Sequence, residues 1–484
     1  MWYIREAVEV VLLLARGIYE LVTEVEDYAE LEARLFRLVQ EVTCRLLGAC
    51  YERIDEQLMR ERDRKRLKVV HFKERTLVTP FGELRIKRRY YRDVETGKGR
   101  FLLDEALGLK PRSRLSPLLV ALAIRIAVEL PYHRTASLLA DITLRTVEIS
   151  HMEVWEACQE AGAVTERMAE GRRRAIFELG EVPAGGRQVD RLYVEGDDVS
   201  IPGRPVEGKR RRISVKLAVG YEGKEQVAKD RKTLANRRVV AGVVDGPTFW
   251  EQTVADFAGT WDLSSVQSCV FGSDGAGWLK KGMDYFPSCT YRLDPYHLRR
   301  ALLEALAGYE DTYMKVCEGI RLGEWSRVED ALKARERLCR GSQRIRIRAL
   351  RRYLADNWDG IRRSETAEQL GAIEGQVFHH IARRMKRHGA LWSNEGADHL
   401  ARLLAARANG ELERLSRQAW PMQKDLLQPA VSSKLLDTHS KPKRAEDPAA
   451  WLQASMPALS GPFAGRPWIK YVLRELSRAG IEVA

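Results

Sequence analysis

"RLYVEGDDVSI", Arg191–Ile201, reads as a β-strand with three acids, Glu195, Asp197 and Asp198, in its middle. Two more strand-like runs follow at once, "RRISVKLAVGYEG" from Arg211 and "NRRVVAGVVDG" from Asn236. Then the order changes. "TFWEQTVADFAGTWDL" reads as a helix, "SCVFGSDG" as a fourth strand, "AGWLKKGMDYF" as a helix and "CTYRLDPYHL" as a fifth strand.

Three strands able to pair as a meander, followed by two βαβ crossovers, describe a ribonuclease-H-like mixed sheet. A doubly wound fold would alternate strand and helix from the start. In such a sheet the first and fourth strands are neighbours, so Asp197 and Asp274 converge. Asp274 ends its apolar run in a bare Asp-Gly. Taken alone, that is a turn or a metal-binding carboxylate. Beside a second strand acid it suits a hard divalent ion, which takes carboxylates, waters and phosphate oxygens. Two such ions about 4 Å apart can serve both the attacking and the leaving oxygen of a phosphodiester displacement.

The third carboxylate has to come from outside the sheet. Glu374 is the candidate, in "GAIEGQVFHHIARRMKRHGALWS" from Gly371. It opens an amphipathic helix whose basic face carries Arg383, Arg384, Lys386 and Arg387. In "LDPYH", Asp294 and His297, with two residues between them, stand at the end of the fifth strand, the sheet end that also holds Asp274.

Upstream, residues 1–65 repeat apolar residues at helical spacing (Leu31, Leu35, Leu38, Val42) and read as a bundle or a coiled-coil-like arm. "VVHFKERTLVTPFGELRIKRRYYRD", from Val69, alternates around "TPFGE" and reads as a β-hairpin with Arg88 and Arg89 on its second strand. Two helices follow within "PYHRTASLLADITLRTVEISHMEVWEACQEAG". The second is capped by Ser150 and Glu153, a spacing compatible with a helix-turn-helix. Residues 298–409 are mostly helical. The stretch 441–467 is rich in Pro, Ala and Ser and reads as a linker, and a last amphipathic helix is expected over 468–478.

The chain has 484 residues and a formal charge of +13, concentrated in runs such as "RERDRKRLK" from Arg60, "GKRRRISVK" from Gly208 and "RIRIRALRRY" from Arg344. That clustering favours a polyanion partner. Seven scattered cysteines without a Cys-x-x-Cys pair argue against a disulfide framework or a zinc ribbon. The first twenty residues are too few and too charged to span a bilayer. A soluble cytoplasmic protein with no membrane partner is expected.

Taken together, "LYVEGDD", "FGSDGAGWLK", "LDPYHL" and "IEGQVFHHIARRMKRHGALWS" resemble the catalytic blocks of the ISLre-type insertion-sequence transposases, a bacterial family within the Mutator-like group of DDE enzymes. "ERDRKRL", "TPFGELRIKRRYYRD" and "LLDEALGL" resemble that family's upstream region, so the likeness runs from about Glu61 to Gly410. It implies an acid triad of Asp197, Asp274 and Glu374 holding two Mg²⁺ ions, with Mn²⁺ able to substitute. His297 is expected near the scissile phosphate, supported by Asp294, and Trp392 is either a base-stacking residue or core. The family reads Glu-Ala-Asp at the first acid where this chain has "EGDD". Asp198 is therefore an alternative first ligand, and the offset from Glu195 favours Asp197.

The implied reaction is metal-dependent cleavage and strand transfer at terminal inverted repeats, by at least a dimer. The alternatives are a catalytically inactive DNA-binding derivative and a ribonuclease-H-like nuclease. Arg88, Arg89, Arg210, Arg211, Arg383, Arg384, Lys386 and Arg387 are the expected DNA contacts. The expected organisation is an N-terminal helical region (1–65), a β-hairpin region (66–110) and a helix-turn-helix-like region (111–186). The core (187–298) follows, then a helical insertion (299–366), the Glu helix (367–410) and a C-terminal region (411–484).

Overall fold

The computed structural model describes residues 2–419 apart from 182, 184, 185, 230, 362–369 and 388. The expected linker over 441–467 and the helix over 468–478 lie outside the described residues.

Helices α1 (Trp2–Thr23) and α2 (Tyr28–Glu61) pack as an antiparallel pair. Strands β1 (Leu67–Thr79) and β2 (Gly82–Asp93) form the expected hairpin, completed by the short β3 (Gly99–Arg100). Leu77, Leu84 and Ile86 make its small core with Leu103 of α3 (Leu102–Ala106), against the flank of α2. Then come α4 (Pro117–Ala127), α5 (Tyr132–Ile142) and the long α6 (His151–Phe177). Ser150 and Glu153 close the capping box expected at the start of α6.

The second helix of the expected helix-turn-helix is packed into the body of the protein. Val154, Ala157, Cys158 and Ala161 of α6 are buried, and α6 lies along α16 (Asn394–Ala408) and α7 (Gly246–Ala258). The acids Glu153, Glu156 and Glu160 lie on its remaining face, and Glu153 and Glu160 are already paired with Arg114 and Lys110. α6 thus contributes one face to the core and carries paired charges on the other.

Strands β4 (Arg191–Val206), β5 (Lys209–Tyr221), β8 (Arg238–Gly242), β9 (Ser268–Ser273) and β10 (Cys289–Leu293) make one five-stranded sheet in the order β10-β9-β4-β5-β8. β4, β5 and β8 pair antiparallel, while β9 runs parallel to β4 and β10 parallel to β9. The hairpin β6 (Gly223–Ala228) and β7 (Arg231–Ala235), between β5 and β8, had no counterpart in the sequence reading. Its sequence, "GKEQVAKDRKTLA", is too polar to show the alternation of a half-buried strand.

Helices cover both faces of the sheet. Val199, Ile201, Val215 and Leu217 belong to one core with residues of α4, α6 and α16. Leu192, Val194, Ala218 and Phe271 belong to a second core with Phe249, Trp250 and Phe257 of α7. Gly196 makes room for that second core, since a Cβ there would meet Trp250 Cη2 at 2.9 Å.

After β10 the chain forms α9 (Pro295–Leu306), α10 (Glu310–Leu322), α11 (Trp325–Leu338), α12 (Gly341–Asp356) and α13 (Trp358–Ile361). These helices share their own core, centred on Val316, Val328, Leu332, Ile347 and Leu354. The chain returns to the sheet as α14 (Ile373–Gln376), which continues through a π-helical turn, Val377–Ala382, into α15 (Arg383–Met385). After α16, α17 (Leu412–Ala419) closes the described chain, and the short α8 (Gly277–Lys280) follows β9. Among the described residues no helix is long and apolar enough to cross a membrane. All seven cysteines are free.

Candidate active site

The carboxyl ends of β9 and β10, the middle of β4 and the start of α14 bring four acids and one histidine together. Asp197 lies on β4 and is 7% exposed. Asp274 follows β9 directly. Its Oδ1 accepts the N–H of Ala276 at 2.8 Å, and Tyr353 of α12 donates its hydroxyl to the Asp274 carbonyl at 2.9 Å. Asp294 caps α9. Its Oδ2 accepts the N–H of His297 at 3.2 Å and lies 2.9 Å from His297 Nδ1. That contact leaves Nε2 facing the acids, 3.2 Å from Glu374 Oε1.

One ligand atom each from Asp197, Asp274 and His297 lies within 4.8 Å of the others. This set has His297 where Glu374 was expected, and Glu374 joins it through the imidazole. Its side chain is 39% exposed, at the open edge of the cluster.

Burial pushes the Asp197 carboxyl up to about 7, with Asp274 and Glu374 adding to the rise. The hydrogen bond to Asp294 raises His297 above its ordinary value, helped by the charges of Asp197 and Glu374. The donors fit a divalent cation. Carboxylate oxygens and one imidazole nitrogen converge, and a carboxylate raised chiefly by burial, and further by its acid neighbours, is what a cation would relieve. The buried Asp294 Oδ1 has no hydrogen-bond partner among the described residues.

The pleat places the two adjacent aspartates on opposite faces of the sheet. Asp198 is exposed on the opposite face of β4, where the Ser214 hydroxyl donates to its Oδ2, and it takes no part in the cluster.

The expected DNA contacts divide. Arg210, Arg211, Arg383, Lys386 and Arg387 are exposed. Arg211 donates to Asn394 at 2.9 Å, which sets the β4–β5 turn beside the segment following α15. Arg88, Arg89 and Arg384 are not available to a phosphate. Arg88 is buried against Asp104 at 2.8 Å with its guanidinium 3.7 Å from the centroid of Phe101. Arg89 pairs with the covered carboxylate of Asp55 at 2.7 Å. Arg384 is buried, donating to the Ala127 carbonyl at 2.9 Å. A charge run read from sequence does not reveal which of its members turn inward. Trp392 is 7% exposed and donates its indole N–H to the Met385 carbonyl at 2.9 Å, so the core alternative is the one the structure adopts.

Two groups beside the site escaped the sequence reading. Tyr353 sits in a stretch that reads only as charge. Glu195 served only as a spacing marker, although an acid inside an apolar strand was itself a signal.

The geometry defines a mixed α/β protein with an acidic cluster at one end of a five-stranded mixed sheet. The chain belongs to the uncharacterised protein family UPF0236, whose pattern matches residues 21–423. A UPF0236 protein of Caldanaerobacter subterraneus subsp. tengcongensis is 26% identical over 392 residues, covering 79% of each chain. Another from the same organism, 25% identical over 389 residues and covering 79% of this chain and 78% of its own, bears eleven locus names. A UPF0236 protein in the vanSb 3′ region of Streptococcus gallolyticus is 27% identical over 409 residues, covering 82% of this chain and 86% of its own.

Proposed function

We propose that this protein is a DNA transposase of a bacterial insertion sequence, with a ribonuclease-H-like core and a metal-dependent site of the DDE class. The observation that carries the reading is the convergence of Asp197, Asp274, His297 and Glu374 from four separate segments on one sheet end. The strand order β10-β9-β4-β5-β8, with one antiparallel meander and two parallel additions, supports it. So does the relative that bears eleven locus names in one organism, the copy number expected of a mobile element.

Asp197 and Asp274 are the residues that would hold Mg²⁺ or Mn²⁺, with Glu374, which meets the cluster through His297 Nε2 at 3.2 Å, turning in to complete the set. When bound, two such ions would supply Lewis-acid stabilisation of the attacking and leaving oxygens. The chain's own part is orientation and proton handling. Asp294 fixes the imidazole by its Nδ1, so that Nε2 faces the acid cluster, where a protonated His297 would pass a proton to the departing oxygen. In the first step water attacks phosphorus, the P–O3′ bond breaks and the 3′-oxygen leaves with a proton. In the second, that 3′-hydroxyl attacks a target phosphodiester, forming one P–O bond as another breaks.

The exposed Arg210, Arg211, Arg383, Lys386 and Arg387 would grip the DNA through phosphates, with affinity that falls as salt rises. Two element ends have to be handled together, so the working species is at least a dimer. The N-terminal helix pair suits that role, because Val11, Leu12, Ile18, Val22, Phe36 and Val39 are exposed on it.

The test is cleavage of a labelled fragment carrying the element's own end, in Mg²⁺ or Mn²⁺. Wild type is compared with Asp274→Ala and Glu374→Ala, and end binding is measured in parallel. Metal-dependent cutting that both variants lose while binding persists is the expected result. If all three bind and none cuts, an inactive DNA-binding derivative takes its place. Cutting of branched DNA or RNA without strand transfer would point to a nuclease.

A further inference from the structure

We propose that Glu195 is a positioning residue, whose buried carboxylate locks the turn that presents Glu374 and thereby sets the metal affinity of the cluster. The inference rests on the metal-dependent reading above. Glu195 is 0% exposed and stands two residues before Asp197, on the same face of β4. A carboxylate buried so fully has to be compensated by hydrogen bonds.

Its partners come from two distant places. Tyr221, on the neighbouring β5, donates its hydroxyl to Oε1 at 2.5 Å. The backbone N–H of Gly371 donates to Oε2 at 2.9 Å, that of Ala372 reaches both oxygens at 3.1 and 3.2 Å, and that of Ile373 reaches Oε2 at 3.4 Å. Three successive amides can converge on one carboxylate because Gly371 sits at φ +88°, a conformation that L side chains rarely adopt. Lys224 adds a second tie one residue upstream, donating to the Leu370 carbonyl at 2.7 Å.

Glu374 is the next residue. One carboxylate therefore joins the strand that carries Asp197 to the turn that carries Glu374, across 176 residues or more of chain. Without it, Lys224 and the buried side chains of Leu370 and Ile373 are left to hold the end of the helical excursion, and the three amides of the turn lose their common acceptor. A glutamine in this place would keep the size but turn an N–H₂ group toward amide donors. Supporting groups of this kind typically change metal affinity or activity by about 10–100-fold when altered.

The experiment uses the full chain and Mn²⁺ alone as probe, with binding followed by electron paramagnetic resonance and cleavage of the end fragment measured across Mn²⁺ concentrations. Wild type, Glu195→Gln, Tyr221→Phe and Asp274→Asn are compared. For Glu195→Gln the Mn²⁺ half-saturation should rise by about 10–100-fold. Its cleavage should recover toward wild type at saturating Mn²⁺, and its end binding should be unchanged. Tyr221→Phe should shift the same way by less. A Glu195→Gln protein that melts earlier yet binds Mn²⁺ like wild type would make the residue merely structural and overturn the proposal. If Glu195→Gln does not fold, Tyr221→Phe decides, and an unshifted half-saturation overturns it. If wild type shows no Mn²⁺ binding that depends on Asp274, the active-site reading fails first and this inference falls with it.

Discussion

Asp197 and Asp198 are neighbours in sequence and opposites in environment. The pleat turns Asp197 toward Asp274 and His297 and turns Asp198 out toward Ser214. Asp197→Asn should therefore lower metal-dependent cleavage by about two orders of magnitude, the scale on which single preorganised electrostatic groups act. Asp198→Asn should leave it near wild type. A gel assay on the end fragment distinguishes them, and equal losses would mean the register of β4 is wrong. "EGDD" allowed either reading, because the face each residue takes depends on strand pairing that the local sequence does not contain.

A second acid acts at the same scale, far from the site. Asp93 ends β2 and holds its turn by accepting the N–H groups of Glu95 and Thr96 and pairing with Arg66 at 2.9 Å. The hydrogen bond from Arg66 is the main reason its carboxyl falls from 3.8 to about 2. A depressed carboxylate contributes stability that is present above its unfolded value and is lost as pH falls through its folded value. The urea midpoint of wild type should therefore fall between pH 4 and about pH 2 more steeply than that of Asp93→Asn, which should be less stable at neutral pH. Parallel curves would remove Asp93 from the acid transition.

At the scale of elements, what the sequence shows best is periodic and what it hides is partnership. The hairpin over residues 67–93, the capped start of α6 and the alternating strands were all legible, because apolar spacing and capping chemistry are local. The inward turn of Arg88, Arg89 and Arg384 was not. Each finds its partner in another element, respectively Asp104 of α3, Asp55 of α2 and the Ala127 carbonyl of α4. Trp392 shows the same thing in an aromatic. It lies against Tyr132 at a ring separation of 6.5 Å, with the Arg384 guanidinium 5.6 Å from its own centroid. Trp392→Ala should cost about 3–5 kcal/mol of stability, as for a large buried aromatic. Urea unfolding measures it. A variant of unchanged stability that had lost DNA affinity would instead restore the base-stacking role.

For the molecule as a whole, the site is assembled from segments that lie far apart in the chain, and assembly has an electrostatic cost. The carboxylates of Asp197, Asp274 and Glu374 are brought together around one imidazole, and burial with mutual repulsion lifts Asp197 to about 7. Candidate residues were legible one by one. Their convergence followed only from the strand order, and the tie through Glu195 could not be read because its partners are backbone amides at the end of a long helical excursion. A cluster built this way is a destabilising feature that a divalent cation would turn into a stabilising one. Mn²⁺ at about a hundred times its dissociation constant should add roughly 2.7 kcal/mol to wild type, by mass action alone. Thermal unfolding should register that as a rise of a few degrees or more. Asp274→Asn, by contrast, should melt above wild type without metal, because a like charge has left the cluster, and should gain nothing from Mn²⁺. A variant that melts below wild type without metal and is still stabilised by Mn²⁺ would place the cation elsewhere and leave the acids as packing and hydrogen-bonding groups.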